Sequence, residues 1–268
     1  MNRRLFHSRT YSNSVQPSYR AESLAIFAAH SVQLTDPQKT LVDTQVGLLI
    51  TDGSWAAADV IVFPMLVTEQ QSLLNWKNPG TYNATAVNFS TTFVTKVGYP
   101  AVLANSTYLR SNYIPYSNGV NWTQNNAKAL CYVKDNIVDD GRALGGISNG
   151  NTLITTRSSS ATCIGRINAV TTNQPSNTDG SGLFSVSTAD GANLVVKRKN
   201  VVLGTVSYTA TGVTNSELLV YAFNDAGAGT VTPNYFINNN TIQCYAFGSS
   251  SMNDATFKTV RDNLAAGL

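Results

Sequence analysis

Apolar positions follow two different periods along this chain, and the switch between them divides it. From Pro17 to about Thr51 the spacing is helical. Leu24, Phe27 and Ala28 mark one face of a first helix, and Leu41, Val42, Val46, Leu48 and Leu49 give a second helix a wide apolar face. Thr35-Asp36-Pro37 is a start signal, an N-cap residue with proline at the opening of the helix. Asp52-Gly53 is a stop, because glycine takes the left-handed conformation that ends helices. Trp55 follows, and then the unbroken apolar run from Asp59 to Phe63 and Pro64 predicts a buried strand. Thr68 with Gln71 three residues later has the form of a capping box, which predicts a short helix through Leu73 and Leu74.

After the run from Asn75 to Gly80 the period shortens. Short stretches of Val, Thr, Tyr, Phe and Ile alternate with clusters of Asn, Gly, Ser and Asp, and this predicts an antiparallel jelly-roll β-sandwich over about residues 83–250. Lys199-Asn200 divides two such stretches as a hairpin turn. Near the end Phe257, Val260 and Leu264 share a helical face, with Met252 placed to pack on Phe257 as a staple, so a last helix should cap the sandwich. The expected organisation is an arm and first helix over residues 1–35, a helical and strand lead-in packed on the sandwich over 36–80, and the sandwich with its closing helix over 81–268.

Composition narrows the function. Hydrophobic residues at 43% of 268 can build a sizeable core, while charged residues are only 12%, against roughly 25% in soluble domains. Ser, Thr and Asn fill the gap, and such a surface suits sugar contacts or close packing in an assembly. The net charge of +3 without a basic stripe argues against a nucleic-acid partner. Arg3, Arg4 and Arg9 read as a docking arm, and Lys197, Arg198 and Lys199 as a solvated hairpin end. Cys131, Cys163 and Cys244 are widely spaced, each in an apolar run, and read as buried free thiols of a protein made in a reducing cytoplasm. No metal and no cofactor are expected. Asn224-Asp225 and Thr178-Asp179-Gly180 are fragments of a calcium site at most, since neither supplies the several oxygens calcium needs. The apolar run of a secretion signal is broken after Arg4 by His7, Ser8 and Arg9, and no stretch reaches the roughly 18 apolar residues that would insert in a membrane.

Gly146-Ile147-Ser148-Asn149-Gly150 fits the Gly-x-Ser-x-Gly pattern of a nucleophile elbow. That chemistry requires a histidine downstream of the serine, and the only histidines are His7 and His30, both upstream. The residues after Gly150 read as a strand and not as the helix an elbow needs, so the pattern is a turn.

Several segments in order carry a more specific likeness: Asp52-Gly53-Ser54-Trp55, Asp59, Phe63-Pro64, the run from Leu73 to Gly80, Tyr108-Leu109-Arg110, Asn118-Gly119-Val120-Asn121-Trp122, and Tyr245-Ala246-Phe247-Gly248 with the closing helix. Together they resemble virion structural proteins of Bacteroidetes-infecting, crAss-like bacteriophages, of tail, fibre or head-decoration type. The resemblance runs from about Asp36 to Leu268. It implies a concanavalin A-like lectin/glucanase domain displayed on a virion, with copies of itself and other virion proteins as partners and a host glycan as a further one. Residues 1–35 depart from it, and no repetitive shaft is present, which fits a compact decoration or baseplate-type subunit.

The same fold hosts glycoside hydrolases, which is the enzymatic alternative. Glycoside hydrolysis needs two facing carboxyl groups, and in that family's glucanases they come from alternate residues of one strand. Here Glu22, Glu69 and Glu217 have no second carboxylate at i+2 or i+4. Asp135, Asp139 and Asp140 sit in a hairpin-loop sequence, and Glu217 reads as a charge at the start of a strand. The expectation is a non-enzymatic protein. A sugar site would combine aromatic faces with amide partners; the candidates are Trp122, Tyr113 and Tyr116 with Asn121 and Asn125.

Overall fold

The computed structural model describes residues 18–89, 93–100, 106–237 and 240–268. Arg3, Arg4 and Arg9, and the docking arm expected there, lie outside the described residues. Among the described residues six helices punctuate the chain: α1 (Ala21–Ala29), α2 (Asp36–Thr51), α3 (Ser54–Ala57), α4 (Glu69–Ser72), α5 (Pro115–Asn118) and α6 (Asp254–Gly267). The local signals set their ends. Gln38 accepts the backbone N–H of the N-cap Thr35 at 2.9 Å, Thr68 accepts that of Gln71 at 3.3 Å, and Gly53 has φ +83° after α2.

The rest is a mainly β sandwich of two sheets. The first has the order β1 (Ala58–Val62), β14 (Ile242–Gly248), β4 (Ala127–Val133), β8 (Gly182–Thr188), β9 (Asn193–Arg198), β10 (Val201–Ser207), antiparallel throughout. In the second the order is β13 (Pro233–Asn234), β12 (Phe223–Asn224), β5 (Leu144–Gly146), β11 (Leu219–Val220), β3 (Tyr108–Arg110), β2 (Thr85–Val87). Its flank continues from β5 to β6 (Asn151–Thr155) and β7 (Ile164–Ala169). Since β1 pairs with β14, as Ile61 with Ala246 and Val62 with Tyr245, the 36–80 segment supplies an edge strand of the sandwich as well as packing on it.

The first sheet is buried on both faces over β1, β14, β4 and β8, while β9 and β10 run out to exposed positions such as Val201 and Val202. Toward the second sheet it presents Val60, Ala129, Cys131, Phe184, Val186, Tyr245 and Phe247. Toward α1, α2 and α6 it presents Ala58, Ile61, Leu130, Leu183 and Ala246, covered by Ile26, Val42, Val46, Leu49, Phe257, Val260 and Leu264. The alternation of strand side chains sends successive residues to the two cores, which is why β1 and β14 read as continuous apolar runs. Met252 is buried against the same helix-side core, as the staple expected. In α1, however, Ile26 and Phe27 face inward while Leu24 is 51% exposed; which side of a short helix is buried depends on the partner that covers it.

The Gly146 to Gly150 segment is the β5–β6 connection. Ser148 and Asn149 have φ of +105° and +60°, and the Ser148 carbonyl accepts from Gly150 N at 2.7 Å. Lys199 and Asn200, with φ of +49° and +68°, turn β9 into β10. The charges of that hairpin are not merely solvated. Arg198 and Lys199 both pair with Asp179, so the Asp179 carboxylate is engaged by protein. All three cysteines are buried and unpaired.

Candidate carbohydrate-binding cleft

Asp59 organises the candidate site. The pairing of β1 with β14 slips between Ala58 and Val60, and such a bulge re-aims the residue it contains. The Asp59 carboxylate turns to the loop after α5 and accepts five hydrogen bonds. They come from the Tyr113 hydroxyl (2.8 Å), the backbone N–H groups of Val120 (3.2 Å), Asn121 (2.9 Å) and Trp122 (3.1 Å), and Asn121 Nδ2 (3.0 Å). Burial first, and then the Asp59 charge, push the Tyr113 phenol well above its ordinary pKa, so it remains a donor.

This clamp overturns the expected aromatic platform. Held at its backbone by Asp59, Trp122 is drawn inside to 2% exposure. There its Nε1 donates to Asn168 Oδ1 at 3.0 Å, and its ring meets Phe247 edge-on. Tyr113 is fully buried and stacked on Phe247. Tyr116 is 63% exposed and Asn125 is exposed, yet neither lines the cleft. Of the five predicted residues only Asn121 does.

The cleft above Asp59 has a volume of about 440 Å³, with Lys77, Asn78, Tyr82, Asn118, Val120 and Asn121 on its walls. Lys77 and Asn78 also border a neighbouring depression of about 320 Å³, whose other walls include Glu22, Trp55, Trp76 and Pro79. The turn from Asn75 to Asn83 shapes the junction. Asn75 Oδ1 accepts from Ile61 N and Lys77 N, its Nδ2 donates to the Thr81 carbonyl, and Asn83 Oδ1 accepts from Asn75 N and Gly80 N. Lys77 donates to the Trp55 carbonyl at 2.6 Å and lies 5.5 Å from the Trp55 ring centre. Burial lowers its pKa, opposed by Asp59 and Glu22.

Lys77, Asn78 and Tyr82 were not singled out from the sequence. The signal was there: Trp55, Asp59, the run from Trp76 to Gly80 and the run from Asn118 to Asn121 are the segments of the virion-protein resemblance, and the fold brings them to one groove.

Carboxylates elsewhere are engaged in structure. Asp135, Asp139 and Asp140 accept backbone N–H groups of Thr241, Gly141 and Ser159. Glu69 accepts from Tyr99. Glu217, read from the sequence as a charge at a strand start, is buried and paired with Arg110 at 2.6 Å. Among the described residues no group of three or more His, Cys, Asp or Glu could hold a metal ion, and no helix is long and apolar enough to cross a membrane. Burial raises the pKa of every thiol, that of Cys163 to about 12, so none is poised as a nucleophile.

No protein-family model matches the chain, and no curated protein matches it in sequence. Solved structures share its fold. The binding domain of botulinum neurotoxin serotype D is similar with a TM-score of 0.51 at 10% identity, over 78% of this chain and 51% of that one. A second structure, the receptor binding domain of botulinum neurotoxin D, gives 0.51 at 8% identity, over 78% and 53%. The chain thus spans about half the length of the domains it resembles, and the likeness is one of fold: a β-sandwich shared with receptor-binding domains.

Proposed function

We propose that this chain is a non-enzymatic adhesion domain that binds carbohydrate in the cleft over Asp59 and Lys77. The observation that carries this reading is the pair of adjoining depressions that share Lys77 and Asn78. Amide side chains of Asn78, Asn118 and Asn121, the Lys77 ammonium and the rings of Tyr82 and Trp55 line it together. Fixed polar groups among ring surfaces are what sugar hydroxyls and pyranose faces require. The sandwich shared with a receptor binding domain agrees with an adhesive role. Against hydrolysis stands the chemistry of the cleft: the Asp59 carboxylate is held by five hydrogen bonds from the fold, and among the described residues no second carboxylate lines the cleft to complete the pair that glycoside hydrolysis needs.

The setting we propose is a bacteriophage particle, with the subunit made in the host cytoplasm and packed in the virion against copies of itself and other virion proteins. Support comes from the order of the resembling segments and from a surface poor in charge, at 12% of residues. Mass spectrometry of purified particles tests this setting.

Binding is tested on an array of bacterial-surface and neutral glycans. Asn78 is exposed, and among the described residues its side chain makes no hydrogen bond that holds the fold. Asn78→Ala should therefore weaken the leading glycan by about tenfold, roughly 1.4 kcal/mol, with an unchanged Tm and no released sugar. A wild-type chain that binds no glycan, or an Asn78→Ala chain that binds as well as wild type, refutes the cleft.

A further inference from the structure

The outer face of the second sheet carries a separate groove. Gly145, Leu153 and Arg166 stand opposite one another on β5, β6 and β7. Their neighbours Leu144, Ile154 and Ile167 point into the core between the sheets, so these three share the outer side. Gly145 makes room there: a Cβ at this position would lie 2.7 Å from Cδ2 of Phe223. Phe223 in turn meets Tyr235 edge-on, with centroids 6.1 Å apart. Tyr235 is 51% exposed, and the Arg142 guanidinium lies 5.1 Å from its ring centre. Arg142, Arg166, Asn151, Asp225, Phe223 and Tyr235 enclose about 240 Å³. On its other side Tyr235 borders a depression of about 470 Å³ with Asp140, Gly141, Asn234 and Phe236.

The guanidiniums set this groove apart. Arg20, Arg110, Arg198 and Arg261 each hold a carboxylate, and Arg157 donates to Asn136 Oδ1 away from this groove. Arg142 instead donates through Nη1 to the Asp140 carbonyl and Thr155 Oγ1, and Arg166 through Nε to Thr172 Oγ1. Among the described residues neither forms an ion pair, and both keep N–H donors without a protein partner. Two like charges facing one cavity repel unless an anion joins them, and burial together with Arg166 lowers the pKa of Arg142. The exposed ring is also held in an uncommon conformation. Tyr235 has φ +49°, its N–H donates to Asn234 Oδ1 at 2.8 Å, and its carbonyl accepts from Arg142 N at 2.7 Å. A bulky residue fixed in the left-handed region is strain of the kind that concentrates at binding sites.

We propose that this groove is a second saccharide site, selective for an acidic sugar that bears a carboxylate or sulfate. The planar guanidiniums of Arg142 and Arg166 match the oxygens of such a group, and the Tyr235 ring offers a stacking surface for the pyranose. Asp225 discriminates further. Its carboxylate accepts from Asn234 Nδ2 at 3.3 Å, disfavours bare phosphate, and accepts hydrogen bonds from hydroxyls, so the cavity suits a ligand with both an anionic group and hydroxyl donors.

The test uses calorimetric titration of the full chain with oligogalacturonate, the same oligosaccharide as its methyl ester, a sulfated galactan oligosaccharide without carboxylates and a polyglutamate peptide. One or both acidic saccharides should bind, with the carboxylate and sulfate arms identifying the group, and the methyl ester should bind at least about tenfold more weakly than its acid, roughly 1.4 kcal/mol. Arg166→Gln and Tyr235→Ala should each lose about tenfold with circular dichroism unchanged, and Arg166→Lys should restore only part of the loss. Asn78→Ala should leave this binding intact, which separates it from the cleft over Asp59. Equal binding of acid and ester, full binding by Arg166→Gln, polyglutamate bound as tightly as the saccharides, or no acidic saccharide bound at all would overturn the proposal.

Discussion

The outer faces of the two sheets meet opposite fates. That of the first sheet lies under α1, α2 and α6 at β1, β14, β4 and β8, so groups there are apolar or are met by partners inside the protein. Lys128 shows the rule: its ammonium donates to the Met252 carbonyl and pairs with Asp254, which also accepts from Ser185 at 2.7 Å. The outer face of the second sheet, at β5 to β7, has no covering helix among the described residues, and there Arg142 and Arg166 share a cavity with Asp225 without either forming an ion pair. A covered face spends its polar groups on the fold, whereas an open one can keep them for a ligand. The cleft over Asp59 lies between these cases, since its central carboxylate is consumed by the fold and its rim of Lys77, Asn78 and Tyr82 is left to solvent.

Variants can break or sharpen this contrast. The largest loss is expected between the sheets: Trp122→Ala empties a packed site and should cost about 3–5 kcal/mol, read as a fall in the urea midpoint. A small change there would return Trp122 to the surface. Under the helices, Asp254→Ala strands the Lys128 ammonium in a buried site and should cost roughly 3–5 kcal/mol, while a Lys128→Met, Asp254→Leu double variant should recover most of it. Equal losses in the single and double variants would mean that the pair is not what holds α6 down.

Next comes a pH effect. His30 is buried, and both ring nitrogens lack a hydrogen-bond partner in the described residues; burial lowers its pKa to about 4. A histidine whose folded pKa lies below its unfolded value of about 6.5 favours folding above that value. Its contribution is lost as pH falls from about 6.5 to about 4, at about 1.4 kcal/mol per unit and at most about 3.5 kcal/mol in all. His30→Phe should flatten this part of the stability profile, and a profile unchanged by the substitution would place the acid sensitivity elsewhere. The smallest effect belongs to the open face, where Tyr235→Ala should shift stability by no more than about 1 kcal/mol in the same urea experiment. A larger loss would make Tyr235 a structural residue.

Local features were readable in order along the chain. Thr35 and Thr68 as caps, Gly53 as a stop and Lys199-Asn200 as a turn depend on backbone groups a few residues away. The buried character of β1 was equally plain. Trp122 was not, because Val120 and Trp122 alternate in a way that suits either a strand or a loop. What decides the matter is Asp59, more than sixty residues upstream, whose carboxylate gathers the loop's N–H groups. Glu217 was misread for the same reason, since its partner Arg110 lies 107 positions away. Tyr235 drew no attention in an Asn234-Tyr235-Phe236 sequence because only the packed sheet shows Phe236 half-buried and Tyr235 turned out.

By itself the sequence determined the class of this protein: a sandwich of short strands with helices at its ends and free thiols in apolar runs. Those properties follow from composition and from periods of two and 3.6 residues, which act within a few positions. Only the tertiary structure decided which polar groups are consumed and which remain open. Whether a carboxylate or guanidinium is satisfied depends on donors and acceptors brought from distant segments. Asp59 found five donors, while Arg142 and Arg166 form no ion pair among the described residues.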